Sequence, residues 1–274
     1  MESSVTDDVA RRRAHMPEGT NAVLNTRSLA ASHRRLAELL RPGMRVLDVG
    51  CGTGAITRGI AEAVGSGGRV VGIDVNPGLI EEARQTHGGV PGLTFAVGDV
   101  HRMPYRDAFD IVTAARVLQW LADPAGALRA MVGAARPGGR VVVLDYNHER
   151  IAWTPEPPVS MRAFYAAFLR WRAEAGMDNA IADHLAELLA ASGLTEVAVS
   201  PQHETTRGDD GDFETHAGIW AEVAATRGRQ MVVDGAISEP ERATAEADYR
   251  AWVADGAQAL TMYLLAVEGV RPLR

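Results

Sequence analysis

Three aspartates, each closing an apolar run, and the glycines behind the first of them are the residues of this chain best suited to hold a ligand. Residues 46–54 read VLDVGCGTG, with Gly50, Gly52 and Gly54 following Asp48. Glycine loses more conformational freedom on folding than any other residue, so such a cluster marks a tight turn or backbone lying against a ligand. Asp48 stands two residues before the first glycine, where a carboxylate can face a cationic amino group. Asp74 closes RVVGIDV and is placed to accept hydrogen bonds from both hydroxyls of a ribose. Asp99, in GDVHRMPY, can present one carboxylate and one neighbouring backbone amide to an adenine edge. Together the three acids describe an adenosine with an amino-acid tail. The glycine loop alone is less selective, because Gly50, Gly52 and Ala55 also satisfy the dinucleotide pattern G-x-G-x-x-A.

Candidates for the reacting side of a site follow the fifth apolar run. Tyr146 and His148, in DYNHE, can serve as bases if an acceptor must lose a proton, and Tyr146 equally as a pocket wall. Arg116 can pair a substrate carboxylate through two charge-assisted hydrogen bonds, and such an acceptor needs no base. Aromatic residues crowd the segment 146–171; among them Trp153 and Tyr165 offer apolar surface to a substrate, and Trp120 joins them from LQW. Phe164, Phe168 and Trp171 recur at i, i+4 and i+7, a spacing that points to core packing. None of the 28 basic residues is lysine, which excludes Schiff-base chemistry and a phosphate-loop lysine. The one cysteine, Cys51, has no partner for an internal disulfide, and its place inside the glycine loop suggests a structural role.

These residues need a scaffold that puts several strand ends at one edge. Strand-like runs at 45–50, 69–75, 93–99, 109–116 and 139–146 alternate with segments of helical spacing, and Asn76-Pro77 and Asp123-Pro124 read as caps with first-turn prolines. Strands alternating with helices predict a doubly wound α/β fold, with ligands bound beyond the carboxyl ends of the strands. After residue 150 the rhythm changes. A proline-rich connector over 151–158 precedes helices over 159–175 and 181–192, a strand near 195–204, a largely helical span over 212–257 and a last strand over 259–269. The resulting division is an N-terminal helical cap (1–40), a cofactor-binding core (41–150), a helical lid insertion (151–180), a helix and strand completing the core (181–208), a second helical insertion acting as lid or dimer contact (209–257), and a last core strand (258–274).

A formal net charge of −7 weighs against nucleic acid as a partner, since phosphate binding needs a basic stripe. The arginine run Arg11 to Arg13 reads as solvated surface of the terminus. Residues 1–20 carry charges of both signs, and no run reaches the ~18 apolar residues of a membrane helix, so the expectation is a cytoplasmic protein without a membrane partner. No cluster suggests a metal. A small-molecule substrate is expected, and a homodimer is left open.

Residues 40–146 resemble the core of the class I S-adenosylmethionine-dependent methyltransferases. VLDVGCGTG is similar to the family's first motif, GIDVNPGLI to its second-strand acid motif, GDVHRMPY to its adenine motif, and FDIVTAARVLQWLADP and RPGGRVVVLDY to its fourth- and fifth-strand segments. The resemblance implies a Rossmann-like seven-stranded sheet, mostly parallel with an antiparallel last strand. It implies S-adenosyl-L-methionine as cofactor, with Asp48 and Gly50, Cys51, Gly52 and Gly54 at the methionine moiety. Asp74 would then meet the ribose, Asp99 and Val100 the adenine, and Ala115 and Arg116 the sulfonium neighbourhood, with Val75 also among the cofactor-binding residues. LQW at 118–120 is similar to small-acid carboxyl methyltransferases. The implied activity is methyl transfer to a small molecule at O, N or C, with helical insertions selecting the substrate. Cofactor binding without methyl transfer, or another use of the sulfonium such as cyclisation, is the alternative.

Overall fold

The computed structural model describes residues 9–15 and 24–273. Two short helices, α1 (Leu29–Ser32) and α2 (Arg34–Leu39), lead into a regular alternation of β1 (Arg45–Val49), α3 (Ala55–Val64), β2 (Arg69–Asp74), α4 (Pro77–His87), β3 (Leu93–Val97), β4 (Phe109–Ala115), α5 (Pro124–Ala134) and β5 (Ala135–Tyr146). A short strand β6 (Ala152–Thr154), helix α6 (Val159–Glu174), helix α7 (Ile181–Ala191), β7 (Thr195–Pro201) and β8 (Glu204–Arg207) come next. Four helices, α8 (Phe213–Ala217), α9 (Ile219–Ala225), α10 (Arg227–Val233) and α11 (Glu239–Asp255), then precede β9 (Ala259–Met262) and β10 (Leu264–Val270).

The main sheet has seven strands in the order β3-β2-β1-β4-β5-β10-β7. Strands β1 to β5 are mutually parallel, and β10 runs antiparallel to both β5 and β7. Helices cover both faces, which is why the strands read as near-continuous apolar runs. Along β1, Val46 packs with α3 and α4, whereas Leu47 and Val49 pack with α5 and α7. Along β5, Val142 joins the first layer and Val141 and Val143 the second. The caps form as their residue types require: the Asn76 side chain accepts from the Gly78 and Leu79 N–H groups, and Asp123 accepts from Gly126. Chain order reverses between β1 and β4, so a crevice opens beside the carboxyl end of β1.

The rest of the chain builds a second packed unit. Strands β6, β9 and β8 form a three-stranded antiparallel sheet, and α6, α9 and α11 pack with it around Phe164, Phe168, Trp171, Trp220, Tyr249 and Leu260. Phe164, Phe168 and Trp171 are at most 3% exposed, in keeping with their helical spacing. The two insertions expected as separate elements thus share one apolar core.

Three expectations are corrected here. The single strand expected over 259–269 is two strands that change sheet at Tyr263, where the Tyr263 carbonyl accepts from the Asn147 N–H (3.0 Å). Residues 204–207, grouped with the core by sequence, pair instead with β9 in the small sheet, and the proline-rich connector contains the edge strand β6. The arginine run is not simply solvated. Residues 9–14 are helical; Arg13 donates to Asp234 (3.0 Å) and to the Trp171 carbonyl. The Arg227 guanidinium closes the end of this helix by donating to the carbonyls of Arg13 (2.5 Å), Ala14 (3.2 Å) and His15 (2.8 Å). The rest of the expected cap over 1–40 lies partly outside the described residues.

Candidate active site

The glycine loop joins β1 to α3. Gly50, Gly52 and Gly54 all take positive φ, at 69°, 55° and 81°, and the N–H groups of Gly50 and Cys51 donate to the Ile73 carbonyl (2.7 and 3.0 Å), tying the loop to the end of β2. A methyl group at Gly50 would lie 2.4 Å from Val117 Cγ2, and one at Gly54 2.7 Å from Phe95 Cζ. The expected result of Gly54→Ala is therefore a loss of about 1–3 kcal/mol in denaturant unfolding, from left-handed backbone and overlap with Phe95. A loss below a few tenths of a kcal/mol would show that the turn relaxes freely.

Two carboxylates flank this loop. Asp74 Oδ2 accepts from the Gly52 N–H (3.0 Å) and Oδ1 from the Asn76 N–H (2.9 Å), so the backbone fixes the carboxylate while each oxygen keeps a lone pair. Burial raises its pKa against the opposing pull of the Asn76, Gly52 and Val75 amides. Asp48 is 4% exposed and accepts from Thr57 Oγ1 (2.7 Å). Burial pushes it up to about 7; the Thr57 hydrogen bond opposes this and the charge of Asp74 adds to it. Neither acid has an ion-pair partner among the described residues. The same burial, with Asp48 and Asp74 nearby, raises the Cys51 thiol, which leaves it an unreactive wall.

Asp99 caps the short 3₁₀ turn Val100–Arg102, accepting from the His101 N–H (2.9 Å) with Arg11 3.9 Å away. Val75 is exposed and Val100 buried. Across the crevice, Ala115 ends β4 and Arg116 takes a left-handed φ of 62°. Each nitrogen of the Arg116 guanidinium has a partner: Nε donates to Tyr146 Oη (2.8 Å), Nη1 to the Ser32 carbonyl (3.2 Å), and Nη2 to Glu204. An acid reaching Arg116 must therefore compete with Glu204 for the guanidinium. Arg27 is held beside it, lowered to about 10 by burial and by the Arg116 charge. His33, behind β4, lies 3.3 Å from Thr113 Oγ1 and is lowered to about 3 by burial and by Arg116.

His148 follows β5 and is 5% exposed. Its ring meets Tyr146, Phe168 and Trp220 at centroid distances of 5.4, 6.0 and 6.1 Å. Burial, then the charge of Arg172, hold the imidazole well below its usual range, so it is neutral. Tyr165 donates its hydroxyl to the His148 carbonyl (2.6 Å), and its ring meets Trp153 edge-on at 5.1 Å. His148, Trp153 and Tyr165 line a cleft of about 340 Å³ together with Ile151, Met161 and Leu169. Trp120 is placed differently: its ring lies between the guanidinium groups of Arg172 (4.5 Å) and Arg227 (4.2 Å).

The profile of the methyltransferase domain family matches residues 40–187. The chain belongs to the class I S-adenosylmethionine-dependent methyltransferases. The chain is 34% identical over 167 residues to demethylmenaquinone methyltransferase of Beutenbergia cavernae, covering 60% of this chain and 62% of that protein. It is 42% identical over 114 residues to aklanonic acid methyltransferase DauC of a Streptomyces species, covering 39% and 51%. An uncharacterised Streptomyces fradiae transposon protein is 42% identical over 104 residues, covering 38% and 30%. The match thus spans between about a third and three fifths of these relatives. In fold, the chain is similar to phosphoethanolamine N-methyltransferase 2 of Haemonchus contortus in complex with S-adenosyl-L-methionine (TM-score 0.54, 18% identity, 94% of this chain and 54% of that one). It is also similar to the [4+2]-cyclase SpnF (TM-score 0.52, 22% identity, 88% and 82%).

The cofactor of this family is S-adenosyl-L-methionine, and the residues present suit it. The loop leaves no room for side chains, Asp74 offers two oriented acceptor sites, and Asp48 with Asp74 forms an uncompensated acidic pair beside which a cationic ligand is favoured. When bound, this cofactor supplies an electrophilic methyl group on a sulfonium.

Sequence reasoning singled out Asp48 and Asp74 because each sits near the carboxyl end of a strand, and Asp99 lies just beyond another. It missed Gln119, Asp145, Arg172 and Glu204. A signal existed for Arg172 and Gln119, since each is a polar residue inside an apolar stretch, yet both are at most 2% exposed.

Proposed function

We propose that this chain transfers a methyl group from S-adenosyl-L-methionine to a small, largely apolar acceptor bearing an acidic hydroxyl, and that the unit built from 151–180 and 209–257 grips that acceptor. The observation carrying this reading is the cleft of about 340 Å³ that a neutral, buried imidazole, His148, lines together with the aromatic residues Trp153 and Tyr165 immediately after β5. That volume is in the range of small-molecule sites. Engagement of Arg116 by Tyr146, Ser32 and Glu204 favours a neutral acceptor over a carboxylate. The names of two relatives, whose acceptors are demethylmenaquinone and aklanonic acid, agree with a small organic molecule.

The chain's own part is to bind, orient and exclude water. Displacement at a sulfonium disperses charge, so alignment in a dry cleft supplies much of the acceleration. The test is incubation of the chain with methyl-labelled cofactor and a panel of phenols, acids and amines, followed by mass analysis. The expected outcome is label in a phenolic or enolic product. Label confined to acids would move Arg116 and the competition with Glu204 to the centre of the site. A product without added methyl would overturn methyl transfer.

A further inference from the structure

His148 has two ring nitrogens, and its surroundings settle which one carries the proton. Its Nε2 lies 2.6 Å from Gln119 Oε1. The orientation of that amide is determined by groups with a single hydrogen-bonding sense. Arg172 Nη1, which can only donate, points at Oε1 (3.4 Å), and the Arg116 carbonyl, which can only accept, faces Gln119 Nε2 (3.4 Å). The oxygen therefore faces His148, and His148 Nε2 must be the donor. Arg172 is itself held: Nη2 donates to the Gln119 carbonyl (2.8 Å) and Nε to Asn179 Oδ1 (2.8 Å), and Asn179 in turn donates to the Leu169 carbonyl (2.9 Å). Asp145 Oδ2 accepts from the Gln119 N–H (3.1 Å) and holds the backbone from the other side.

The consequence falls on Nδ1, which must carry a lone pair. Its neighbour, the Tyr165 hydroxyl, is 3.4 Å away, but the single proton of that hydroxyl goes to the His148 carbonyl at 2.6 Å. Among the described residues, Nδ1 is thus a buried acceptor with no donor of its own, on a residue that lines the cleft. Buried acceptors are ordinarily paired, and an acceptor molecule's O–H supplies the missing partner.

We infer that Gln119 is a positioning residue that holds His148 as the Nε2–H tautomer, so that Nδ1 receives the proton of the methyl acceptor's hydroxyl; this rests on the methyl-transfer reading above. The acceptor's proton passes to Nδ1 as its oxygen bonds to the methyl carbon and the carbon–sulfur bond breaks with its electron pair left on sulfur. The charged and titratable groups around the pair are Arg172 and Tyr165 of α6, Tyr146 and Asp145 of β5, and the adjacent Glu149. Buried and with Arg172 close by, His148 is a weak base, which matches a phenol or enol and not an aliphatic alcohol.

The experiment combines ring ¹⁵N NMR of histidine-labelled enzyme, with His148 assigned by His148→Phe, and kinetics of Gln119→Leu and Gln119→Glu. Expected are a protonated Nε2 and bare Nδ1 in the parent enzyme at neutral pH, and a fall in kcat of about 10–100-fold in Gln119→Leu with KM changed less than about threefold. Gln119→Glu keeps an acceptor at the same place, so it should retain the tautomer and most of kcat. It should also add a new acidic limb to the pH–rate profile, because a carboxylate raises the imidazole pKa. A proton on Nδ1 in the parent enzyme, or kcat unchanged within twofold in Gln119→Leu, overturns the proposal. The NMR result needs no turnover, so it separates the two readings. A bare Nδ1 in a protein that methylates nothing sinks methyl transfer but supports the tautomer, whereas a protonated Nδ1 in an active enzyme sinks this proposal alone.

Discussion

Asp74→Ala is expected to raise the Kd for S-adenosyl-L-methionine and for S-adenosylhomocysteine by about 10²- to 10⁴-fold. The carboxylate is fixed by the Gly52 and Asn76 amides, one on each oxygen, and each oxygen keeps a lone pair for one ribose hydroxyl. Hydrogen bonds to a charged group contribute about 1.5–3 kcal/mol each, so two of them amount to about 3–6 kcal/mol, and each ~1.4 kcal/mol is tenfold in Kd. The fold should survive, because α4 is capped by Asn76 and not by Asp74. Asp74→Asn retains one acceptor oxygen and should cost less, about tenfold. Calorimetric titration of both variants checks this; a Kd for Asp74→Ala within twofold of the parent would remove Asp74 from the ribose.

The prominence of Asp74 in the bare sequence has a physical basis. A strand end in a parallel sheet is a defined position, so an acid closing each apolar run at 48 and 74 had to arrive at one edge once the alternation of strands and helices was recognised. The glycine loop was legible for the same reason, since only a sharp turn against packed neighbours such as Val117 and Phe95 requires residues without Cβ. The small sheet was not. Strands β6, β8 and β9 have only three or four residues each, too few for a period to stand out, and they pair across more than 50 residues of chain, so no local pattern betrays them.

The Gln119 network was illegible for a stricter reason. Its members Gln119, Asp145, His148, Arg172 and Asn179 come from different elements, and each satisfies a buried partner that only the folded chain brings near. Arg172 sits on the helix that also carries Phe168 and Trp171, where sequence periodicity marks a core-facing surface but cannot say that the face includes an ion. Arg116 illustrates the converse. Its position after β4 was readable, but whether its guanidinium was free depended on Glu204, a residue of the small sheet.

Replacing Asp48 by asparagine should stabilise the ligand-free protein at pH 8, and that gain should vanish by about pH 4. Asp48 is raised from 3.8 to about 7 by burial, so above pH 7 the folded state holds a charged carboxylate in a site that disfavours it. Between pH 7 and 3.8 the folded chain binds a proton that the unfolded chain has released, and the parent gains stability as pH falls. Each proton contributes a slope of about 1.4 kcal/mol per pH unit, so the difference between Asp48→Asn and the parent has an upper bound of about 4 kcal/mol at pH 8. Asp145, raised to about 6 by burial, acts in the same direction. The buried histidines oppose them. His33, lowered to about 3, and His148, lowered well below its usual range, stay neutral in the fold, so below pH 6.5 the unfolded chain binds protons that the folded chain does not. Near pH 5 two protons favour each side, and the contribution of these four groups is nearly flat. Below 3.8 the acids no longer compensate, and stability falls. Asp48→Asn removes one compensating proton and should therefore decline with acid from about pH 6, where the parent does not. Urea unfolding at pH 4, 5, 6 and 8 checks the slopes; parallel curves for the two proteins would mean that Asp48 titrates as an ordinary aspartate. The cost carried by this acid at neutral pH is what a bound cation relieves, so saturating S-adenosyl-L-methionine should stabilise the parent more than Asp48→Asn, and increasingly so as pH rises from 6 to 8.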